Sequence, residues 1–305
     1  MKTIYFGNGE RGLRCLEEIC QNGYLPEAVV VHPAPASELE NNLIRRFAIS
    51  LNLPVYAPAS VNKSPFIDEI SSKQPDLMIL SGYGKILKKE ILSIPRLGTI
   101  NLHGGLLPKY RGGSPINWQI INDEKKGGCA IIFVDEGIDT GDIIVQETYE
   151  IGSEDTAGDI YVKTLEIFPR LLVNTLEDIA NERIKREKQN SSDGSYYKKR
   201  YPEDSRIFWE TMSARQIYNF IRALNGPSLP GAFTYLENEK IVVLKSKLTG
   251  NKSDRIPGEI LGKSGEGVIV SCLDEDLLIL EVSCGDNGNV LPAVKKLDLA
   301  GNRLI

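Results

Sequence analysis

The sequence predicts an α/β chain: a mostly parallel sheet with helices on both faces, followed by a smaller β-rich domain. Three observations carry that expectation. Short apolar strands alternate with amphipathic segments through the first half. A polar run without apolar period, "KREKQNSSDGSYYKKR", begins at Lys185. Beyond it, β-rich runs follow one another with Gly, Asn and Asp between them, about one small barrel's worth of strands.

The elements follow in order. "KTIYFG" reads as a strand, and residues 11–22 as a helix with Leu13, Leu16, Ile19 and Cys20 inward. "PEAVVVH" is a strand. Residues 37–52 predict one helix: Ser37 and Glu40 make a capping box, and Leu39, Leu43, Ile44, Phe47 and Leu51 recur at helical spacing. "PVYAP", a helix over 65–73, "DLMILSG", a helix over 87–94 and "GTINLH" complete the alternation. Ser114 reads as an N-cap and Pro115 as the first position of a helix to Asn122. "CAIIFV" and "DIIVQETYEI" read as a hairpin-like pair of strands. Residues 156–184 predict one long helix, with Thr156 as cap, Leu165, Phe168, Leu172, Leu176 and Ile179 on one face, and a kink at Pro169. These signals divide the chain into a domain over 1–184, a linker over 185–204 and a domain over 205–305. The last opens with the helix "SARQIYNFIRAL" and continues through the strands "AFTYLE", "KIVVLKSKL", "GVIVSC", "LLILEVSC" and "KKLDL".

Composition narrows the function classes. The 305 residues are 41% hydrophobic and 25% charged, with a net charge of −5. No basic field covers the molecule, which argues against tight nucleic-acid binding. No apolar run approaches the ~20 residues of a membrane span, and "MKTIYFGNGERG" is no signal peptide. Cys15, Cys20, Cys129, Cys272 and Cys284 are odd in number and lack a C-x-x-C, the pattern of reduced thiols in a cytoplasmic protein. With two histidines and no metal-spaced Cys/His set, no zinc site is expected.

Three stretches are candidate sites. In "GNGERG", Gly7, Gly9 and Gly12 fit a dinucleotide fingerprint after a strand. That fingerprint wants an acidic residue at the tip of the second strand, where this chain has His32. A tight strand-to-helix turn, whose helix N-terminus could hold an anion, is the favoured explanation of the glycines, and an NAD-binding module stays open as the alternative of another class. In "NLH", Asn101 and His103 lie two apart on a strand and project to one side. They do so at the strand's C-terminal tip, where open α/β sheets bind ligands. A single buried histidine hydrogen bond is the structural explanation. The following "GG", "LLP" and "KYRGG" supply room, an apolar wall and cations. Third, "DEGIDTGDI" gathers Asp135, Glu136, Asp139 and Asp142 in a Gly-broken loop, otherwise a solvated acidic turn.

Taken together, N-x-H, "LLPKYRG" with "SPINW", and "G-x-D-T-G-D-I" with its aspartate thirty-six residues after the histidine resemble the folate-dependent formyltransferases. "YPEDSRIFW" and "RAL…PGAFTY" extend the similarity into the second domain. The resemblance implies a Rossmann-like catalytic domain and an OB-like C-terminal barrel. It implies a catalytic set of Asn101, His103 and Asp139, with His103 taking the proton of an attacking amine, Asn101 donating to the oxyanion and Asp139 orienting His103. It places 10-formyltetrahydrofolate, the co-substrate, near Tyr83, Gly84, Lys85, Ile86, Leu106, Pro108, Val134 and Asp135, and the acceptor near Asn8, Gly9, Gly105, Lys109 and Arg111, with no metal. The nearest likeness is to the nucleotide-sugar N-formyltransferases, whose acceptors are UDP- or dTDP-linked amino sugars of surface glycans. The methionyl-tRNA formyltransferases are the sister group. Two features favour the sugar acceptor. "HPAPASELE" runs almost directly into a helix where the tRNA enzymes carry a longer Gly- and Lys-rich loop, and the chain is acidic. A homodimer through the second domain is implied by resemblance alone.

Overall fold

The computed structural model describes residues 1–226, 229–265, 267–284, 289–297 and 301–305. The chain forms two compact units, neither contiguous in sequence. The first comprises Met1–Gly112, Gly127–Tyr149 and Val162–Tyr196; the second comprises Gly113–Lys126, Glu150–Tyr161 and Tyr197–Ile305.

In chain order the elements begin with β1 (Thr3–Gly7), α1 (Gly9–Gln21), β2 (Ala28–Val30), α2 (Ala36–Glu40), α3 (Leu43–Ser50), β3 (Val55–Tyr56), α4 (Phe66–Ser72), β4 (Leu77–Ser81), α5 (Lys89–Leu92) and β5 (Thr99–His103). Then come β6 (Arg111–Gly112), α6 (Pro115–Ile121), β7 (Lys126–Phe133), β8 (Ile143–Glu150), α7 (Ala157–Ala180) and β9 (Tyr196–Tyr197).

The sheet of the first unit runs β3-β2-β1-β4-β5-β7-β8. Its first five strands are parallel, and β7 is antiparallel to β5, with His103 opposite Ala130. Every residue of β1 and β4 is buried, as expected of strands covered on both faces. Ile4, Phe6, Val30, Met78 and Leu80 pack with Phe66, Ile70 and Ile91 in one cluster. The intervening Tyr5, Val29 and Ile79 are buried as well.

Two local expectations are corrected. Residues 37–52 are not one helix, because the chain breaks at Asn41-Asn42. Asn42 caps α3 by accepting from the Arg45 backbone N–H at 3.0 Å. The Ser37–Glu40 box does not form; Pro35 is the cap residue of α2, without a side-chain bond. An asparagine that satisfies the backbone locally competes with helix continuation. Ser114 precedes α6 as expected but does not cap it. Its φ of +52° is left-handed, and its hydroxyl instead accepts from the Arg200 backbone N–H at 3.2 Å. Thr156 does cap: its Oγ1 accepts from the Asp159 N–H, while the Asp159 carboxylate accepts from the Thr156 N–H at 2.8 Å. The helix α7 continues through Pro169.

The second unit adds α8 (Ala214–Ala223), β10 (Ala232–Leu236), β11 (Glu239–Lys252), β12 (Ile260–Ser264), β13 (Gly267–Ser271), β14 (Glu275–Cys284) and β15 (Asn289–Pro292). Ser213 and Gln216 form a capping box for α8. The antiparallel order is β10-β11-β14-β13-β12, with β15 beside β14. The last residues join its two edges. Ile305 exchanges backbone bonds with Tyr235, while Leu304 and Asn302 bond Gly258 and Ile260. These bonds cover part of the β10 and β12 edges and give the β-rich module a barrel-like closure. "KKLDL" is not a strand. Ala293–Lys295 is a 3-10 turn that lets Leu297 enter the core at 1% exposure, and Asp298 and Leu299 lie outside the described residues.

Candidate active site

The C-terminal tips of β1, β4 and β5 carry the residues singled out in the sequence. At the tip of β5, Asn101 and His103 share one face, and Asp139 meets both. Asn101 Nδ2 donates to Asp139 Oδ1 at 3.3 Å, and His103 Nδ1 lies 3.4 Å from Asp139 Oδ2. The chain after β5 then curls back onto this cluster. The Gly112 N–H donates to Asp139 Oδ2 at 2.9 Å, and the Tyr110 carbonyl stands 2.7 Å from His103 Nε2. A left-handed Tyr110, φ +55°, makes that return turn.

The tautomer follows from the partners. A carbonyl only accepts, so Nε2 carries a proton. Nδ1 then faces a carboxylate oxygen with its lone pair while the ring is neutral. A proton arriving between them converts two opposed lone pairs into a charge-assisted hydrogen bond. Asn101 spends one amide hydrogen on Asp139 and keeps a second for another acceptor. His103 is 5% exposed and Asp139 14%, so both groups lie largely out of water.

The loop that carries Asp139 is built tightly. Gly141 admits no side chain, because a Cβ there would collide with the Phe133 carbonyl. Asp135 turns inward on its own loop, its Oδ1 accepting from the Gly137 N–H and the Thr140 hydroxyl. Val134 continues the β5 pairing through the Thr99 carbonyl.

The expected folate segment lies at the tip of β4. Tyr83 is buried and stacks on His32, with centroids 4.3 Å apart and planes 2° from parallel. The Gly84 N–H donates to His32 Nε2, and a Cβ on Gly84 would meet nothing within 4 Å. Lys85 reaches the Ala59 carbonyl, while Ile86 is 69% exposed. Leu106 rests on Gly128, and the Pro108 carbonyl accepts from Ser195 N–H. Asn8 heads α1 without a side-chain cap, and Gly9 is left-handed with open space beside it. Gly105 is buried and Lys109 exposed. Arg111 is not at a pocket mouth: it is 9% exposed and donates to Gln189.

Sequence reasoning passed over three contributors and gave a fourth, His32, no role at the site. His32 occupies the strand tip where a dinucleotide site needs a carboxylate. Gln146 grips both backbone groups of Leu107. Tyr110 and Gly112 act through backbone atoms, which leave no mark on residue type. Among the described residues, no three His, Cys, Asp or Glu side chains are placed to hold a metal, and no helix is long and apolar enough to cross a membrane.

Sheet tip, amide, imidazole and carboxylate thus meet at one place on an α/β scaffold. The formyl transferase family matches residues 1–176, and its C-terminal domain matches residues 199–291; the chain belongs to the folate-dependent formyltransferases. A methionyl-tRNA formyltransferase of Clostridioides difficile is 36% identical over 295 residues, covering 95% of this chain and 94% of its own. The bifunctional polymyxin resistance protein ArnA of Wigglesworthia glossinidia is 37% identical over 282 residues, 92% of this chain and 42% of its own. Among solved structures, an N-formyltransferase of Helicobacter canadensis in complex with folinic acid and dTDP-3-aminofucose superposes with a TM-score of 0.65. Its identity is 24%, with 92% of this chain and 98% of that one covered.

These relatives overturn the expected nucleotide-sugar acceptor. Full-length relatives from further species that share 34–35% identity are also methionyl-tRNA formyltransferases, whereas the sugar enzyme's 24% speaks for the fold alone. The charge argument failed because net charge averages the whole surface, while RNA contacts depend on local lysines and arginines. The loop argument failed because surface loops change length without changing the fold that carries them.

Proposed function

We propose that this chain formylates the amino group of methionyl initiator tRNA, working in the cytoplasm with 10-formyltetrahydrofolate as donor. The observation that carries the reading is the 36% identity to a methionyl-tRNA formyltransferase along 95% of this chain and 94% of that one. Residues 1–184 would be the catalytic domain, with 205–305 supporting the acceptor and 185–204 linking them.

The residues at the tip of β4 fit a folate. A Cβ on Gly84 would meet nothing within 4 Å, so its backbone is open to approach, and exposed Ile86 and half-buried Leu106 offer apolar contact. The bound folate supplies an electrophilic formyl carbon. The second Nδ2 hydrogen of Asn101 stabilises the negative charge that develops on the formyl oxygen as the amine attacks. His103 Nδ1, facing Asp139, takes the proton the attacking nitrogen sheds. Asp139 then holds the imidazolium in place, and His103 returns the proton to the departing folate nitrogen. No covalent bond to the chain forms, and one proton passes from acceptor to leaving group.

The test is formyl transfer from 10-formyltetrahydrofolate to methionyl initiator tRNA, read by mass as the gain of one CO on the released methionine. Turnover at rates typical of enzymes is expected; absence of formylmethionine with active donor and charged tRNA sinks the reading.

A further inference from the structure

The polar segment after α7 does more than connect. From Lys185 to Asn190 every side chain is exposed except Gln189. Its amide enters the loop that carries Asp139 and forms three hydrogen bonds. Nε2 donates to the Asp139 carbonyl at 2.9 Å and to the Gly141 carbonyl at 2.7 Å. Oε1 accepts from Arg111 Nε at 2.9 Å. Both amide hydrogens and the amide oxygen are therefore used.

These bonds act where the site needs them. Asp139 has a φ of +53°, in the left-handed region that a residue with a Cβ adopts only when its surroundings hold it there. Gln189 binds the carbonyl of that same residue and the carbonyl two positions on. It thereby fixes the peptide planes on the C-terminal side of the strained residue. Through Arg111 it also fixes the backbone just before Gly112, whose N–H donates to Asp139 Oδ2. One side chain thus ties the carboxylate's own backbone to the neighbouring backbone donor that orients the carboxylate.

We infer that Gln189 is a positioning residue for formyl transfer: it holds Asp139 in register with His103 and Asn101. It touches none of the three catalytic side chains and acts through the backbone of one. The inference rests on the catalytic reading of Asp139 above.

The experiment compares the full-length wild type with Gln189→Met, which fills the space without polar atoms, and Gln189→Glu, which places carboxylate oxygen against two carbonyls. Turnover of methionyl-tRNA is measured beside hydrogen exchange across residues 135–142. In Gln189→Met, kcat should fall about thirtyfold while KM for donor and acceptor stays within about twofold, the signature of a misaligned reacting group. Gln189→Glu should be at least as slow. In an Asp139→Asn background, Gln189→Met should cost less than about twofold further, since both changes act on one carboxylate. Exchange across 135–142 should rise about tenfold in Gln189→Met, whatever the acceptor. Unchanged kcat, or a full multiplicative loss in the double variant, overturns the inference. If the wild type formylates no charged tRNA, the acceptor reading fails, and exchange alone then judges Gln189: unchanged protection of the loop overturns its role.

Discussion

At the scale of single residues, the Asn101–His103–Asp139 cluster separates two kinds of contribution. In the proposed mechanism Asn101 keeps one amide hydrogen for the developing oxyanion, so Asn101→Ala should lower kcat about 100- to 1,000-fold, the usual cost of one such donor. It also removes a bond to Asp139, so its loss should approach the larger figure. His103→Asn deletes the proposed proton acceptor and should lower kcat at least as far while leaving far-UV circular dichroism unchanged. Near-normal steady-state turnover in either variant would remove that residue from the mechanism. The cysteines make a different residue-scale statement. Burial pushes the thiols of Cys15 and Cys129 up to about 12 from an ordinary 9.0. Raised folded values mean the native chain keeps protons that the unfolded chain loses. The stability these thiols contribute is therefore full below pH 9 and is lost as pH climbs toward about 12. Melting temperature should be flat from neutral pH to about 8.5 and then fall, with a shallower fall in the Cys15→Ala/Cys129→Ala variant. A melting temperature unchanged up to pH 11 contradicts this.

At the scale of elements, periodicity was a good guide where an apolar face meets a sheet and a poor one where side chains bond their own backbone. The strands β1, β4 and β5 were legible because each is a short, mostly apolar run between turn signals, and β1 and β4 are buried throughout. The split between α2 and α3 was not, since Asn41 and Asn42 sit in a run whose apolar spacing continues across them. Capping gives that distinction a measurement. Asn42→Ala removes the bond to the Arg45 N–H and should cost about 1 kcal/mol in chemical denaturation, whereas Ser37→Ala should cost nothing measurable. Equal losses would restore the single helix. Arg222 in α8 is an element-scale feature that charge pattern did not reveal. It is 5% exposed, donates to the Gly152 and Asp155 carbonyls, and lies 3.6 Å from Asp123. It joins three segments of the second unit. The candidate site follows the same division. Asn101, His103 and Asp139 were legible because their spacing and letters carry chemistry. Tyr110, Gly112 and Gln189 were not, because they contribute a carbonyl, an N–H and an amide from a run that looks like solvent-exposed linker.

At the scale of the whole molecule, the net charge of −5 and the proposed tRNA acceptor pull in opposite directions, and ionic strength reads the balance between them. Long-range steering follows the net field, which repels a polyanion and weakens as salt screens it over about 10 Å. Bound-state affinity follows the phosphates actually neutralised, each of which adds about 0.7 to 0.9 to the slope of log affinity against log salt. An acidic chain that formylates tRNA must therefore rely on a small number of local contacts. Two or three of them predict that kcat/KM for methionyl-tRNA falls by about 7- to 40-fold between 50 and 200 mM salt. KM for 10-formyltetrahydrofolate should change by less than about threefold over the same range, because its proposed site at the β4 tip offers apolar wall and backbone more than paired charge. The two titrations are measured on one enzyme preparation, so a general effect of salt on the fold would move both. A flat response for the tRNA, or an increase as the repulsion is screened, would show that no phosphate contacts carry binding and would overturn the acceptor assignment. A steep fall for the tRNA alone is the outcome that an acidic formyltransferase with a locally basic RNA-binding surface requires.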